Sequence, residues 1–83
     1  MISKPRIEYP LEARKKRMEG AGTYRLDIDE RGYVTSVRVG ASSGHKHLDQ
    51  AAIAGLLKCR FKPGTVPLVG IRVLWQLPDR VFW

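Results

Sequence analysis

Ser42-Ser43-Gly44-His45-Lys46-His47-Leu48-Asp49-Gln50-Ala51-Ala52 reads as a turn that runs into a helix, and Arg60-Phe61-Lys62-Pro63-Gly64 reads as its stop. Leu48, Ala52, Leu56 and Cys59, with Ala51 and Gly55 beside them, recur at the three- and four-residue spacings of one apolar helix face. Asp49 near the start suits the positive end of the helix dipole, and Lys58, Arg60 and Lys62 suit the negative end. Gly55 costs about 1 kcal/mol against alanine inside a helix, so a close approach to a sheet is expected to compensate.

On the N-terminal side of this helix lies a hairpin. Thr23 to Asp29 alternate, with Tyr24, Leu26 and Ile28 on one face and Thr23, Arg25, Asp27 and Asp29 on the other. Glu30-Arg31-Gly32 supplies a turn, and Tyr33 to Val39 supply the return strand. Val34 and Val37 differ in parity, so burying both requires a bulge near Thr35 and Ser36. On the C-terminal side, Val69, Ile71, Val73, Trp75 and Leu77 alternate strictly, which predicts a third strand ended by Pro78. Val81, Phe82 and Trp83 form an apolar tail that either folds back or is exposed.

Further upstream, Pro5 and Pro10 bracket an extended segment. Leu11 to Met18 are helix formers, with Leu11 and Met18 on a thin apolar stripe and with Gly20 and Gly22 as the stop. The order helix, strand, strand, helix, strand predicts a two-layer α+β domain over residues 1–83. Its three-stranded antiparallel sheet has the order two, one, three, and both helices cover one face. Residues 1–10 are the extended N-terminal segment and 78–83 the tail. The third strand is then an edge.

Composition limits what such a chain does. Its 83 residues hold one small core, and 43% hydrophobic with 28% charged residues is the balance of a folded domain rather than a disordered tail. A lone cysteine forms no internal disulfide and indicates no redox compartment. No apolar run is long enough to span a membrane, and the first residues lack the pattern of an export signal. This is the reading either of a domain cut from a longer protein or of a free-standing one.

The net charge of +7 is compatible with nucleic acid, anionic lipid or an acidic partner surface. Its densest run, Arg14-Lys15-Lys16-Arg17, points around most of a helix circumference, as a solvated face does. Tyr24 and Trp75 fall on the apolar faces of their strands, which weighs against an RNA-stacking platform.

No chemistry-bearing constellation stands out. His45, His47 and Cys59 lack a fourth ligand at metal spacing, so no cofactor or metal is expected. Cys59 sits on an apolar face without a histidine-acid pair, there is no phosphate loop, and an enzyme is not expected.

Five pieces in order resemble the C-terminal domain of the TonB family. They are Tyr9-Pro10-x-x-Ala13-Arg14, Glu19-Gly20, Ile28-Asp29-x-x-Gly32-x-Val34, Ser42-Ser43-Gly44 with Leu48-Asp49 and Ala51-Ala52, and Arg60-Phe61-x-Pro63-Gly64. The resemblance runs from Tyr9 to Leu77 and departs at Cys59, where the family usually has tryptophan. It implies a periplasmic domain at the end of an inner-membrane protein, which passes energy from the motor proteins to outer-membrane receptors importing iron chelates, vitamin B12 or sugars. It also implies that a receptor segment, the TonB box, adds as a strand beside the last strand.

Unpaired backbone groups on an edge strand accept an extended peptide by β-augmentation. The residues expected to contact it are Lys4, Arg6, Glu8 and Tyr9 on the flanking segment, and Val69, Ile71, Arg72, Val73, Leu74, Trp75, Gln76 and Leu77 on the strand. The same edge could serve a homodimer or be covered by the tail. A stand-alone adaptor, a TolA-like periplasmic domain and a basic nucleic-acid-binding domain are the alternative functional readings.

Overall fold

The structure, a computed structural model, describes residues 3–64 and 67–83, so residues 1 and 2 of the expected extended segment lie outside it. Its elements are α1 (Leu11–Lys15), β1 (Gly20–Ile28), β2 (Val34–Ala41), α2 (Lys46–Leu56), β3 (Leu68–Gln76) and β4 (Arg80–Phe82). The sheet is antiparallel with the order β2-β1-β3-β4. The expected order of the first three strands is correct, but the sheet has four strands and not three. The tail folds back, placing Phe82 against Leu74, Val81 against Trp75 and Arg80 against Gln76.

The alternating residues decide which way each strand faces. Tyr24, Leu26 and Ile28 of β1 and Val73 and Trp75 of β3 enter the core, where α2 adds Leu48, Ala52 and Leu56. The two helices touch each other, and α2 packs on β1 and β2. Ser36 pairs with Asp27 while Val34 pairs with Ile28, so Thr35 is the extra residue of a bulge. The bulge lets both Val34 and Val37 pack against the core, as their parity requires. A second register shift makes Gly40 the extra residue between Val39 and Ala41.

Both helices end earlier than the sequence pattern implies. α1 closes at Lys15, where the Met18 amide bonds back to the Ala13 carbonyl at 2.8 Å and Arg17 takes the left-handed conformation at φ 54°. That back-bonded turn is the stop, so Gly20 and Gly22 begin β1 instead of ending the helix. Gly22 is needed because a Cβ there would lie 2.4 Å from the Tyr24 hydroxyl. The side chain that α1 buries is Ala13, whereas Leu11 is 61% exposed and forms no stripe with Met18.

α2 closes at Leu56, and its last turn contains no basic residue. Cys59 is therefore not on the helix face, yet the turn after Leu57 returns it to the core at 2% exposure. Gly55 accommodates Ile7 of the N-terminal segment rather than the sheet: a Cβ there would lie 2.7 Å from Ile7 Cγ1.

The Ser-Ser-Gly turn is held by Asp49. Its carboxylate accepts hydrogen bonds from the Ser42 hydroxyl at 2.5 Å, the Ser43 hydroxyl at 2.8 Å and amide at 3.0 Å, and the Tyr24 hydroxyl at 2.7 Å. Burial pushes this carboxyl up, but the hydrogen bonds outweigh it and hold it below the ordinary aspartate value. The unfolded chain therefore binds the proton more readily than the folded one. Stability should be level above the ordinary aspartate range and fall as pH drops through it toward the folded value. Urea unfolding at a series of pH values tests this, and Asp49→Asn should flatten the acid slope.

Candidate functional site

The N-terminal segment is fixed at three points, which turns an extended strand-like stretch into a wall. Ser3 and Arg60 exchange backbone hydrogen bonds at 3.1 and 3.2 Å. Ile7 fills the space that Gly55 leaves. Tyr9 donates its hydroxyl proton to the Met18 carbonyl and sets its ring edge-on to Trp75, with centroids 5.4 Å apart. Arg60 also lies over the Tyr33 ring at 3.9 Å, which ties this corner to the start of β2.

Between this wall and β4 runs a slot of about 280 Å³, lined by Arg6, Ile7, Glu8 and Tyr9 on one side and Asp79 and Val81 on the other. Arg14 closes one part of its rim. Lys4 crosses toward the chain end: its ammonium donates to the Trp83 carbonyl oxygen at 2.5 Å and lies 4.8 Å from the indole centroid. An electrostatic clasp thus joins the N-terminal segment to the tail.

The structure distributes the expected contact residues among distinct environments. Lys4, Arg6 and Glu8 are exposed, while Tyr9 is buried under the sheet's end. Val73 and Trp75 point into the core, and Val69 and Ile71 are half-buried on the same face. Arg72, Leu74 and Gln76 lie on the opposite, helix-free face. Leu77 lies with Pro78 along a wider hollow of about 540 Å³ beside Leu11.

The expected full-length edge from Val69 to Leu77 is corrected by β4. Among the described residues β4 pairs with Leu74 to Gln76, leaving Leu68 to Val73 as the uncovered stretch of that edge. Sequence reasoning missed Asp79 and Val81 as slot residues. The signal available was the Arg80-Val81-Phe82 triplet, too short to show a period.

Chemically the region offers backbone pairing groups and charged side chains. Among the described residues no three His, Cys, Asp or Glu side chains gather as a metal site. The Cys59 thiol is pushed up by burial, with Lys4 pulling the other way, so little nucleophilic thiolate forms. No helix among the described residues is long and apolar enough to cross a membrane.

A short antiparallel sheet that leaves part of one edge open has the geometry by which a domain can accept an extended polypeptide as an added strand. Residues 5–77 match the family described as Gram-negative bacterial TonB protein C-terminal, and the chain belongs to that family. Its members are periplasmic protein-interaction domains rather than enzymes. No curated protein and no solved structure gives a significant match.

Proposed function

We propose that this domain is the receptor-facing end of a TonB-type energy transducer in the periplasm. The carrying observation is the stretch of β3 from Leu68 to Val73 that β4 leaves unpaired on its outer side, with the slot bordered by Arg6 to Tyr9 running along β4, which covers the rest of that edge. An extended TonB-box peptide of an outer-membrane receptor pairs first with that open stretch. It then takes the position of β4 along Leu74 to Gln76, between β3 and the wall.

Backbone hydrogen bonds supply most of the affinity in this mode, and side chains beside the added strand supply selection. Arg72 and Gln76 flank the peptide on the helix-free face, while Lys4, Arg6 and Glu8 face it from the wall. As part of a longer transducer, the domain would be pulled by inner-membrane motor proteins, and the pull would reach a receptor importing iron chelates or similar nutrients. A strand bonded side by side to β3 resists a pull along its axis because all its hydrogen bonds are loaded together.

Titrating isotope-labelled protein with a TonB-box peptide checks this reading. Amide shifts should concentrate in residues 68–76 and 6–9 and spread to 80–83 as the tail leaves. Shifts centred on β2 would overturn it. A second copy is the competing occupant of the same edge, and sedimentation without peptide should show a monomer if the edge is kept for the receptor.

A further inference from the structure

The sheet face that carries no helix is unusual in its charge. Arg25 on β1 stands directly opposite Arg38 on β2, a like-charge cross-strand pair. Such pairs oppose folding, since facing side chains on adjacent strands lie within interaction range. Asp27 is the nearest counter-charge, and it is already engaged by Arg38 at 3.3 Å and by the Ser36 hydroxyl. The same register places Arg72 opposite Thr23 and Arg80 opposite Gln76, so all four strands contribute an arginine to this face.

Among the described residues the side chains of Arg25, Arg72 and Arg80 have no hydrogen-bond or ion-pair partner. On its β3 side Arg25 faces Gly70, and nothing lies within 4 Å of where a Gly70 Cβ would be. The surface is therefore open beside Arg25, with Arg72 two residues along the neighbouring strand. Leu68, 49% exposed, and Phe82, 47% exposed, lie on the same face.

We infer that this helix-free face docks on an anionic phospholipid surface, with Arg25, Arg38 and Arg72 binding headgroup phosphates and Leu68 and Phe82 resting at the interface. Arginine suits phosphate because its planar fork donates two parallel hydrogen bonds. The cations spread across the width of the sheet instead of following a groove, which fits a planar array of headgroups. Nucleic acid is the less favoured polyanion because Phe82 is the single aromatic ring that the described strands put on this face, while Tyr24 and Trp75 are buried on the opposite one, so no row of rings is available for successive bases to stack on. Apolar contacts flanked by cations match the pattern of interfacial binding.

Cosedimentation of the protein with phosphatidylcholine vesicles, with and without phosphatidylglycerol, tests the inference. Binding should require phosphatidylglycerol and weaken with salt. Arg25→Gln/Arg72→Gln should lower vesicle affinity about tenfold or more, whereas Lys15→Gln/Lys16→Gln, which removes the same charge from the end of α1 and its cap, should lower it less than about threefold. Both pairs are exposed, and Arg25→Gln relieves a repulsion, so the variants should remain folded. Equal losses in the two variants would show a response to net charge alone and overturn the inference. Absence of binding to phosphatidylglycerol vesicles, or tighter binding to a single-stranded oligonucleotide through the same arginines, would overturn it as well.

Discussion

Trp75→Ala is expected to cost about 3–5 kcal/mol, the largest single-residue loss in this domain. Trp75 is fully buried, and its ring meets Tyr9 edge-on at 5.4 Å. Its neighbours are Gly20 on β1 and Val81 on β4, so truncation opens a cavity where three strands and the N-terminal segment converge. A domain of this size has roughly 5–15 kcal/mol in total, so the variant should sit near the edge of stability. Urea unfolding followed by fluorescence and circular dichroism measures the loss. A cost below about 1 kcal/mol would mean that the indole does not fill the core. Arg72→Ala, three residues away on the bare face, should change stability by no more than about 0.5 kcal/mol.

Ending the chain after Pro78 should tighten TonB-box peptide binding by about tenfold, because it removes a strand that occupies part of the same edge. β4 pairs with three residues of β3, and the Lys4 clasp to Trp83 adds to its hold. If the tail is docked in about nine molecules of ten, only the remaining tenth is open for full-length pairing, and apparent affinity falls by that fraction. Calorimetry on the full and shortened chains gives the ratio directly. Lys4→Ala should move affinity in the same direction by less, since it loosens the tail without removing it. Weaker binding by the shortened chain would mean that β4 supports the peptide instead of competing with it.

The parts of the fold that were legible in the sequence are those set by long periods. Nine residues of alternation identified β3, and the hairpin parity of Val34 and Val37 required the bulge that Thr35 provides. β4 was not legible, because three residues after a Pro-Asp turn carry no period. The α1 stop was hidden because an arginine, and not a glycine, takes the left-handed position. At α2 the apolar spacing continued through Cys59, although the chain reaches that buried position by a turn rather than by another helical residue.

The site divides similarly. The strand that forms part of the edge was legible, and so was the extended course of the segment before Tyr9-Pro10; its part in peptide contact is a proposal. The length of edge left open depends on β4 and so was not. The opposed arginines of the bare face were also hidden, because Arg25 faces Arg38 only once the bulges have set the hairpin register. Gly55 was conspicuous in the sequence, but its partner, Ile7, lies 48 positions away, beyond any local pattern.

The two bulges of β2 bear on how this sheet meets its neighbours. With Thr35 and Gly40 as extra residues, the regular stretch on that side is only Ser36 to Val39, and the strand is bent at both ends of it. A ribbon receptive along both margins could enlist one molecule after another into a growing fibre. Here the β2 margin is broken by bulges whereas β3 keeps an unshifted register with β1, so under the proposed strand addition the domain would act as a terminus: one guest strand would be accepted and no template passed onward.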